Sequence, residues 1–259
     1  MSATPKTDFA PRSSGEELER RAKFLATFQA SPIPGQELLY SQLALYLPRQ
    51  ELSRMLSLAD LYRHYVLEAN GVLMEFGTCF GRTAALLTNL RGIFEPYNFT
   101  RKLVIFDTFS GLRGTGDKDG GHRLAADGSY TSGEGYEQYL EQVLAYHESE
   151  APIAHRRKFE IVKGDARESI RNYLRAHPET IVAMAYFDFD IYEPTKACLE
   201  AIRPHLTRTS VLAFDELNCP EYPGETRALA EVFGLGACAL RRSPLSPWLS
   251  FTTCENIGL

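Results

Sequence analysis

From Gly71 onward, short runs of consecutive apolar residues alternate with longer stretches whose apolar positions recur every three to four residues. The runs Val72–Phe76, Leu103–Phe106, Phe159–Val162, Ile181–Phe187 and Val211–Phe214 predict strands, because continuous apolar runs of this length suit parallel strands covered on both faces. The stretches between them, Thr83–Leu90, Glu134–Tyr146, Ala166–Ala176, Pro194–Leu206 and Glu225–Phe233, predict the crossing helices. Two last runs, Ala237–Leu240 and Leu249–Thr253, predict an antiparallel pair that closes the sheet. The pattern as a whole predicts an α/β fold, a Rossmann-like doubly wound sheet of about seven strands.

Residues 1–70 follow a different rhythm. Met1 to Ser14 is polar and broken by prolines, and predicts a disordered tail. Glu16–Gln29, Glu37–Tyr46 and Glu51–Leu67 predict helices, separated by Ser31–Gly35 and by Pro48. In the third of these, Leu52, Met55, Leu56, Ala59 and Tyr62 keep a helical spacing and are expected to bury one face. The chain therefore divides into a tail (1–14), an N-terminal helical extension (15–70) and one α/β domain (71–259). Within that domain, Gly111 to Gly133 carries seven glycines. It is too long and too polar for a routine strand-to-helix connection, and reads either as a glycine-rich lid beside a ligand or as a solvated insertion.

At 259 residues the chain can bury one sizeable core and carry the extension. A net charge of −5 argues against nucleic acid as the main partner, since phosphate neutralisation needs a basic face. No apolar run approaches the roughly 20 residues of a membrane span. The N-terminus also lacks the apolar core of a signal peptide, so a cytoplasmic location is expected. The five cysteines include no C-x-x-C pair and read as reduced thiols rather than a zinc site or disulfide framework.

Candidate cofactor chemistry lies at three strand ends. Glu75, Gly77, Thr78, Gly81 and Thr83 occupy a loop that follows the first strand and opens a helix. Glycine there permits positive φ and close approach of a ligand to the backbone. The third glycine of the dinucleotide pattern is missing, and the spacing E-x-G-x-x-x-G resembles motif I of class I methyltransferases, which bind the amino-acid part of S-adenosylmethionine. Asp107 ends the second strand, where a carboxylate can accept both ribose hydroxyls. Gly164 and Asp165, after the third strand, resemble the segment that borders the adenine, although Asp165 can equally cap the helix that follows.

The fourth strand ends in Asp188, Phe189 and Asp190, and the fifth in Asp215 and Glu216. Both acidic pairs fall at the carboxyl ends of strands read as neighbours, hence at the mouth of one crevice. Carboxylates held a few ångströms apart repel, so they must take up protons, separate or bind a cation. A hard oxygen-ligand ion such as Mg²⁺ would resolve the conflict. Independent solvated acids on loops are the competing reading.

Together, Glu75–Thr83, the block Phe106–Leu112, the block Phe187–Thr195 and Phe214–Glu216 resemble the macrocin O-methyltransferase (TylF-type) family, which includes sugar O-methyltransferases of antibiotic pathways. The similarity runs from about Arg54 to Phe233. It implies a class I fold, S-adenosylmethionine and Mg²⁺, with Asp188, Asp215 and Glu216 on the metal and Asp190 as general base. Ser110 and Asp188 join the implied cofactor contacts. Two positions depart from the family: Phe189 stands where glycine is usual, and Glu216 where aspartate is usual. The expected function is an S-adenosylmethionine-dependent, Mg²⁺-dependent O-methyltransferase acting on a hydroxyl of a sugar or another small-molecule acceptor, in natural product biosynthesis, with a homo-oligomer such as a dimer as a compatible assembly. His122, in the glycine-rich segment, is a candidate substrate contact. Three rivals stay open: a metal-dependent catechol or phenol O-methyltransferase, a non-catalytic cofactor-binding protein, and a dinucleotide oxidoreductase.

Overall fold

The computed structural model describes residues 14–256. The disordered tail expected over 1–14 lies outside that range except for Ser14, which caps the first helix through a reciprocal bond pair with Glu17. The sheet runs β3-β2-β1-β4-β5-β7-β6. Its strands are β1 (Val72–Phe76), β2 (Leu103–Asp107), β3 (Phe159–Lys163), β4 (Val182–Phe187), β5 (Leu206–Phe214), β6 (Arg241–Arg242) and β7 (Ser250–Thr253). The first five are parallel, β7 is antiparallel to β5, and β6 is antiparallel to β7. Strand order reverses between β1 and β4, which opens a crevice at their carboxyl ends.

Alternation along each strand sends side chains to two cores. One joins the sheet to α6 (Ala166–Ala176), α7 (Tyr192–Ile202) and α8 (Gly224–Val232). The other joins it to α3 (Arg49–His64), α4 (Arg82–Phe94) and α5 (Tyr136–Ser149). Directly beneath the crevice, Phe106, Phe76, Phe187 and Phe214 stand in register on four neighbouring strands. Their rings stack with centroids 5.1, 4.8 and 5.0 Å apart. This dry floor fixes where the strand-end acids can stand.

The helical extension corrects two expectations. The segment expected as Glu37–Tyr46 splits into α2 (Gln36–Ser41) and a single tight turn, Leu43–Tyr46; α1 (Gly15–Gln29) precedes it. In α3 the expected face holds in part: Tyr62 is buried and Met55 and Ala59 half-buried, but Leu52 and Leu56 are 43% and 46% exposed, and Leu58 and Leu61 complete the buried stripe with Tyr62. Those three also obey i, i+3, i+4 spacing, and they share a core with Ala84 and Leu87 of α4, whereas the N-terminal end of α3 meets α4 through the Glu51–Arg82 ion pair. Tyr62 stacks on Phe94 and donates to Glu95.

At the other end, the expected strand Ala237–Leu240 is displaced. A turn over Leu235–Ala237 consumes its start, and pairing with β7 begins only at Arg241, opposite Phe251. The glycine-rich segment is a folded cover, anchored at its root. Leu112 N donates to Ser129 O and Gly128 N to Leu112 O, each at 2.9 Å, closing the segment on itself. Asp119, 2% exposed, accepts from Tyr192 N at 2.6 Å and from Gly116 N at 2.7 Å, pinning it to the start of α7.

Candidate active site

The loop between β1 and α4 is shaped by close approach. Gly77 has φ 86°, and a Cβ there would stand 2.2 Å from the Asp188 carbonyl oxygen, so no side chain fits between the ends of β1 and β4. Gly81, at φ 82°, makes the left-handed turn that opens α4, and a Cβ there would also press on the Leu140 side chain of α5. Asp107 holds the loop from β2. Its Oδ2 accepts from Thr78 N at 2.7 Å and Cys79 N at 2.9 Å, and its Oδ1 from Phe109 N at 2.6 Å. Burial pushes this carboxyl up, against the downward pull of those N–H groups.

Glu75 is buried behind the loop rather than on the cavity wall. Its Oε1 accepts from Thr78 Oγ1 at 2.9 Å, and burial pushes it up to about 8. Ser110 is exposed, outside the wall. Gly164, at φ 144°, has nothing within reach of a Cβ, so its α-carbon face is open. Asp165 caps α6 by accepting from Arg167 N at 3.0 Å, and the Arg167 guanidinium pulls its carboxyl down.

One cavity of about 960 Å³ spans the carboxyl edge of the sheet, at the top of the roughly 300–1,000 Å³ range usual for a small-molecule pocket. Gly77, Thr78, Thr83, Asp107, Gly164 and Asp165 line it at the ends of β1, β2 and β3. Asp188, Asp190, Asp215 and Glu216 line it at the ends of β4 and β5. The structure thus gathers most of the residues the sequence singled out onto one wall, leaving out Glu75, Gly81 and Ser110.

The acidic end of the cavity is held by partners the sequence did not reveal. Arg54, reaching across from α3, pairs its Nη2 with Asp215 Oδ2 at 3.0 Å and donates through Nη1 to Tyr186 Oη at 3.2 Å. Tyr186 Oη donates to Asp215 Oδ1 at 2.8 Å. Glu225, at the start of α8 and 1% exposed, accepts from Phe189 N at 2.9 Å and Asp190 N at 3.4 Å. That bond supports Asp190 at φ 63°, a left-handed conformation that a non-glycine residue keeps only when its surroundings enforce it.

Burial, then the Asp215 charge, pushes the Asp188 carboxyl well above the usual range, with Arg54 pulling the other way. Burial, then Asp188 and Glu225, does the same to Asp190, against a hydrogen bond with Glu216. The site therefore gathers more carboxyl groups than Arg54 can pair, and without a ligand they hold their protons rather than ionise together. Its donors are hard oxygens of the kind Mg²⁺ takes. Among the described residues no three His, Cys, Asp or Glu side chains stand close enough together to hold a metal ion.

Strand order, glycine loop and strand-end acids together define a class I S-adenosylmethionine-dependent methyltransferase. The solved structure of the calicheamicin methyltransferase CalS11 is 41% identical, with a TM-score of 0.89 over 98% of this chain and 99% of that one. A second, apo structure of CalS11, described as a TDP-rhamnose 3′-O-methyltransferase of calicheamicin biosynthesis, gives 41% identity and a TM-score of 0.80 over 93% and 95% of the two chains. The O-methyltransferase NovP, at 15% identity and TM-score 0.59 over 78% and 79%, shares the fold. No protein-family model matches the sequence, and no curated protein does. The chain belongs to the macrocin O-methyltransferase (TylF-type) family, and it is an S-adenosylmethionine-dependent O-methyltransferase.

Proposed function

We propose that the acceptor is a sugar hydroxyl, carried on a nucleoside-diphosphate sugar, and that a divalent cation assists its methylation. The observation that carries this reading is the gathering of Asp188, Asp190, Asp215 and Glu216 at the ends of β4 and β5, in the wall of a cavity of about 960 Å³. The full-length likeness to CalS11, whose acceptor is TDP-rhamnose, supports the sugar half. Asp188, Asp215 and Glu216 would hold the ion only by drawing closer than they stand here, with Asp215 shared between it and Arg54. When bound, Mg²⁺ lowers the proton affinity of the acceptor hydroxyl.

The chain's own residues do the rest. Asp190 stands beside the strand-end acids in the cavity wall and takes the hydroxyl proton as general base. Its raised proton affinity makes it a stronger base once ionised. Gly77, Thr78, Asp107 and Gly164 orient the cofactor so that acceptor oxygen, methyl carbon and sulfur fall in line, and the cover excludes water. The test is incubation with S-adenosylmethionine, Mg²⁺ and TDP-rhamnose, followed by mass spectrometry. A product heavier by one methylene, lost in excess EDTA, is expected. Full turnover in EDTA would remove the cation, and absence of sugar methylation would remove the acceptor assignment.

A further inference from the structure

The cavity has a second wall that neither the cofactor nor the carboxylates account for. Three loops far apart in sequence meet over the acidic end: the cover, the loop after β5, and the β6–β7 connection. They share a small apolar cluster of their own, with Leu124, Cys219 and Tyr222 buried and Ala125, Tyr130 and Trp248 packed against them. His122, Tyr130, Tyr222 and Trp248 all line the cavity.

Across this cluster runs a chain of polar groups. Tyr130 Oη and Tyr222 Oη are 3.0 Å apart, and Tyr222 Oη lies 2.9 Å from His122 Nδ1. The His122 and Tyr222 rings meet edge to face at 5.1 Å. Burial first, then the nearby Asp190 charge, pushes the Tyr130 phenol up. Tyr222 is pushed up to about 12 by burial, with Asp190 and Glu216 adding to the effect. The three side chains line the same cavity as Asp190. Tyr130 is also held at φ 61°, a left-handed backbone unusual for a bulky side chain.

Hydrogen-bond counting shows what such a chain can bind. A phenol donates once and accepts through two lone pairs, and a neutral imidazole has one donor and one acceptor. Whichever way the protons run, joining the three groups in a row uses two donors and leaves both donor and acceptor capacity. Sugar hydroxyls need both at once. The apolar flank of Tyr222 and Trp248 suits the C–H face of a saturated ring. A planar catechol would use the flank and leave most of the polar row unmatched.

We propose that His122, Tyr130 and Tyr222 form the acceptor-reading wall: they grip hydroxyls of the sugar other than the one methylated, and so fix which hydroxyl reaches Asp190. This rests on the sugar reading above. The experiment compares wild-type protein with Tyr130→Phe and Tyr222→Phe, using TDP-rhamnose, methyl rhamnoside and catechol as acceptors. S-adenosylhomocysteine titration serves as the control for folding and the cofactor site.

Each phenylalanine variant should raise the acceptor KM about three- to tenfold, the worth of one hydrogen bond, with a smaller effect on kcat. Product analysis should show a second methylated position, and affinity for S-adenosylhomocysteine should stay at the wild-type value. The single tryptophan, Trp248, gives a readout free of turnover: TDP-rhamnose should change its fluorescence, with the midpoint shifted in the variants. Unchanged KM, midpoint and product position in both variants would overturn the wall while leaving the sugar acceptor standing. Parallel loss of S-adenosylhomocysteine affinity would reduce the row to a structural brace and overturn it too. Turnover of catechol alone, or of no acceptor, would overturn both the wall and the sugar reading.

Discussion

Asp190 and Arg54 mark the two limits of what single residues disclose. Asp190 was legible because a strand pattern runs straight into it, so its place at the sheet edge follows from the apolar run before it. Replacing it with Asn keeps its shape and removes the proton acceptor. The acceptor assay should lose about 10²–10⁴ in rate, while titration with S-adenosylhomocysteine stays near wild type; a wild-type rate would take the base role from it. Arg54 was not legible, because its partner Asp215 lies 161 residues away and nothing beside it on α3 hints at an acid. It also changes the electrostatic reading of the site, since one of the expected metal ligands already has a cation. The pair is largely buried, with side chains 16% and 10% exposed. Removing one partner of such a pair strands the other, so Arg54→Met should destabilise toward the lower end of the roughly 3–5 kcal/mol seen for buried pairs. Urea unfolding would measure this, and a midpoint equal to wild type would mean that solvent takes over the arginine's role. Glu225 escaped notice for a similar reason: its target is the backbone of Phe189 and Asp190, and backbone partners leave no trace in a sequence.

Whole elements were more legible than their faces. Five parallel strands could be placed because each is a short apolar run buried on both sides, and that double burial is itself the signal. The face of α3 could be placed only in part, because the stripe from Leu52 and Leu56 to Tyr62 and the stripe through Leu58, Leu61 and Tyr62 both satisfy helical spacing. Only the position of α4 decides between them. The glycine-rich segment shows the same division. Its length and polarity set it apart from a routine connection, but its anchor at Asp119 depends on the N–H of Tyr192, a contact between distant elements. Asp119→Ala leaves two N–H groups, on Tyr192 and Gly116, without their acceptor, at about 1–3 kcal/mol for each that stays buried. The expected result is faster hydrogen exchange across residues 111–133 and at the start of α7, with the sheet unchanged. Wild-type protection in the variant would show that the closure of Leu112 on Ser129 and Gly128 suffices to hold the cover.

At the scale of the molecule, fold class and strand order were legible because alternation of strand and helix admits few topologies, whereas the charge state of the interior was not. The crevice is built with acids whose proton affinities burial raises, Glu75, Asp107, Asp188, Asp190 and Glu225 among them. This couples stability to pH in a definite direction. For Glu75 the ordinary value is 4.5 and the folded value about 8. Between those limits the folded protein keeps a proton that the unfolded chain has released. Folding then takes up a proton, and stability falls as pH rises from about 4.5 to about 8, by at most about 1.4 kcal/mol per pH unit from this group. In a chain of this size that corresponds to at most roughly 3–6 °C in Tm for each pH unit. The other raised carboxyls act with the same sign, so ligand-free wild-type protein should melt progressively lower from pH 5 to pH 8. Glu75→Gln keeps the shape and the bond from Thr78 but cannot ionise. Its melting temperature should therefore fall less steeply over the same range, so that it gains on wild type as pH rises. Parallel slopes for the two proteins would mean that Glu75 stays ionised behind the glycine loop, and that the proton uptake on folding belongs to the other raised carboxyls.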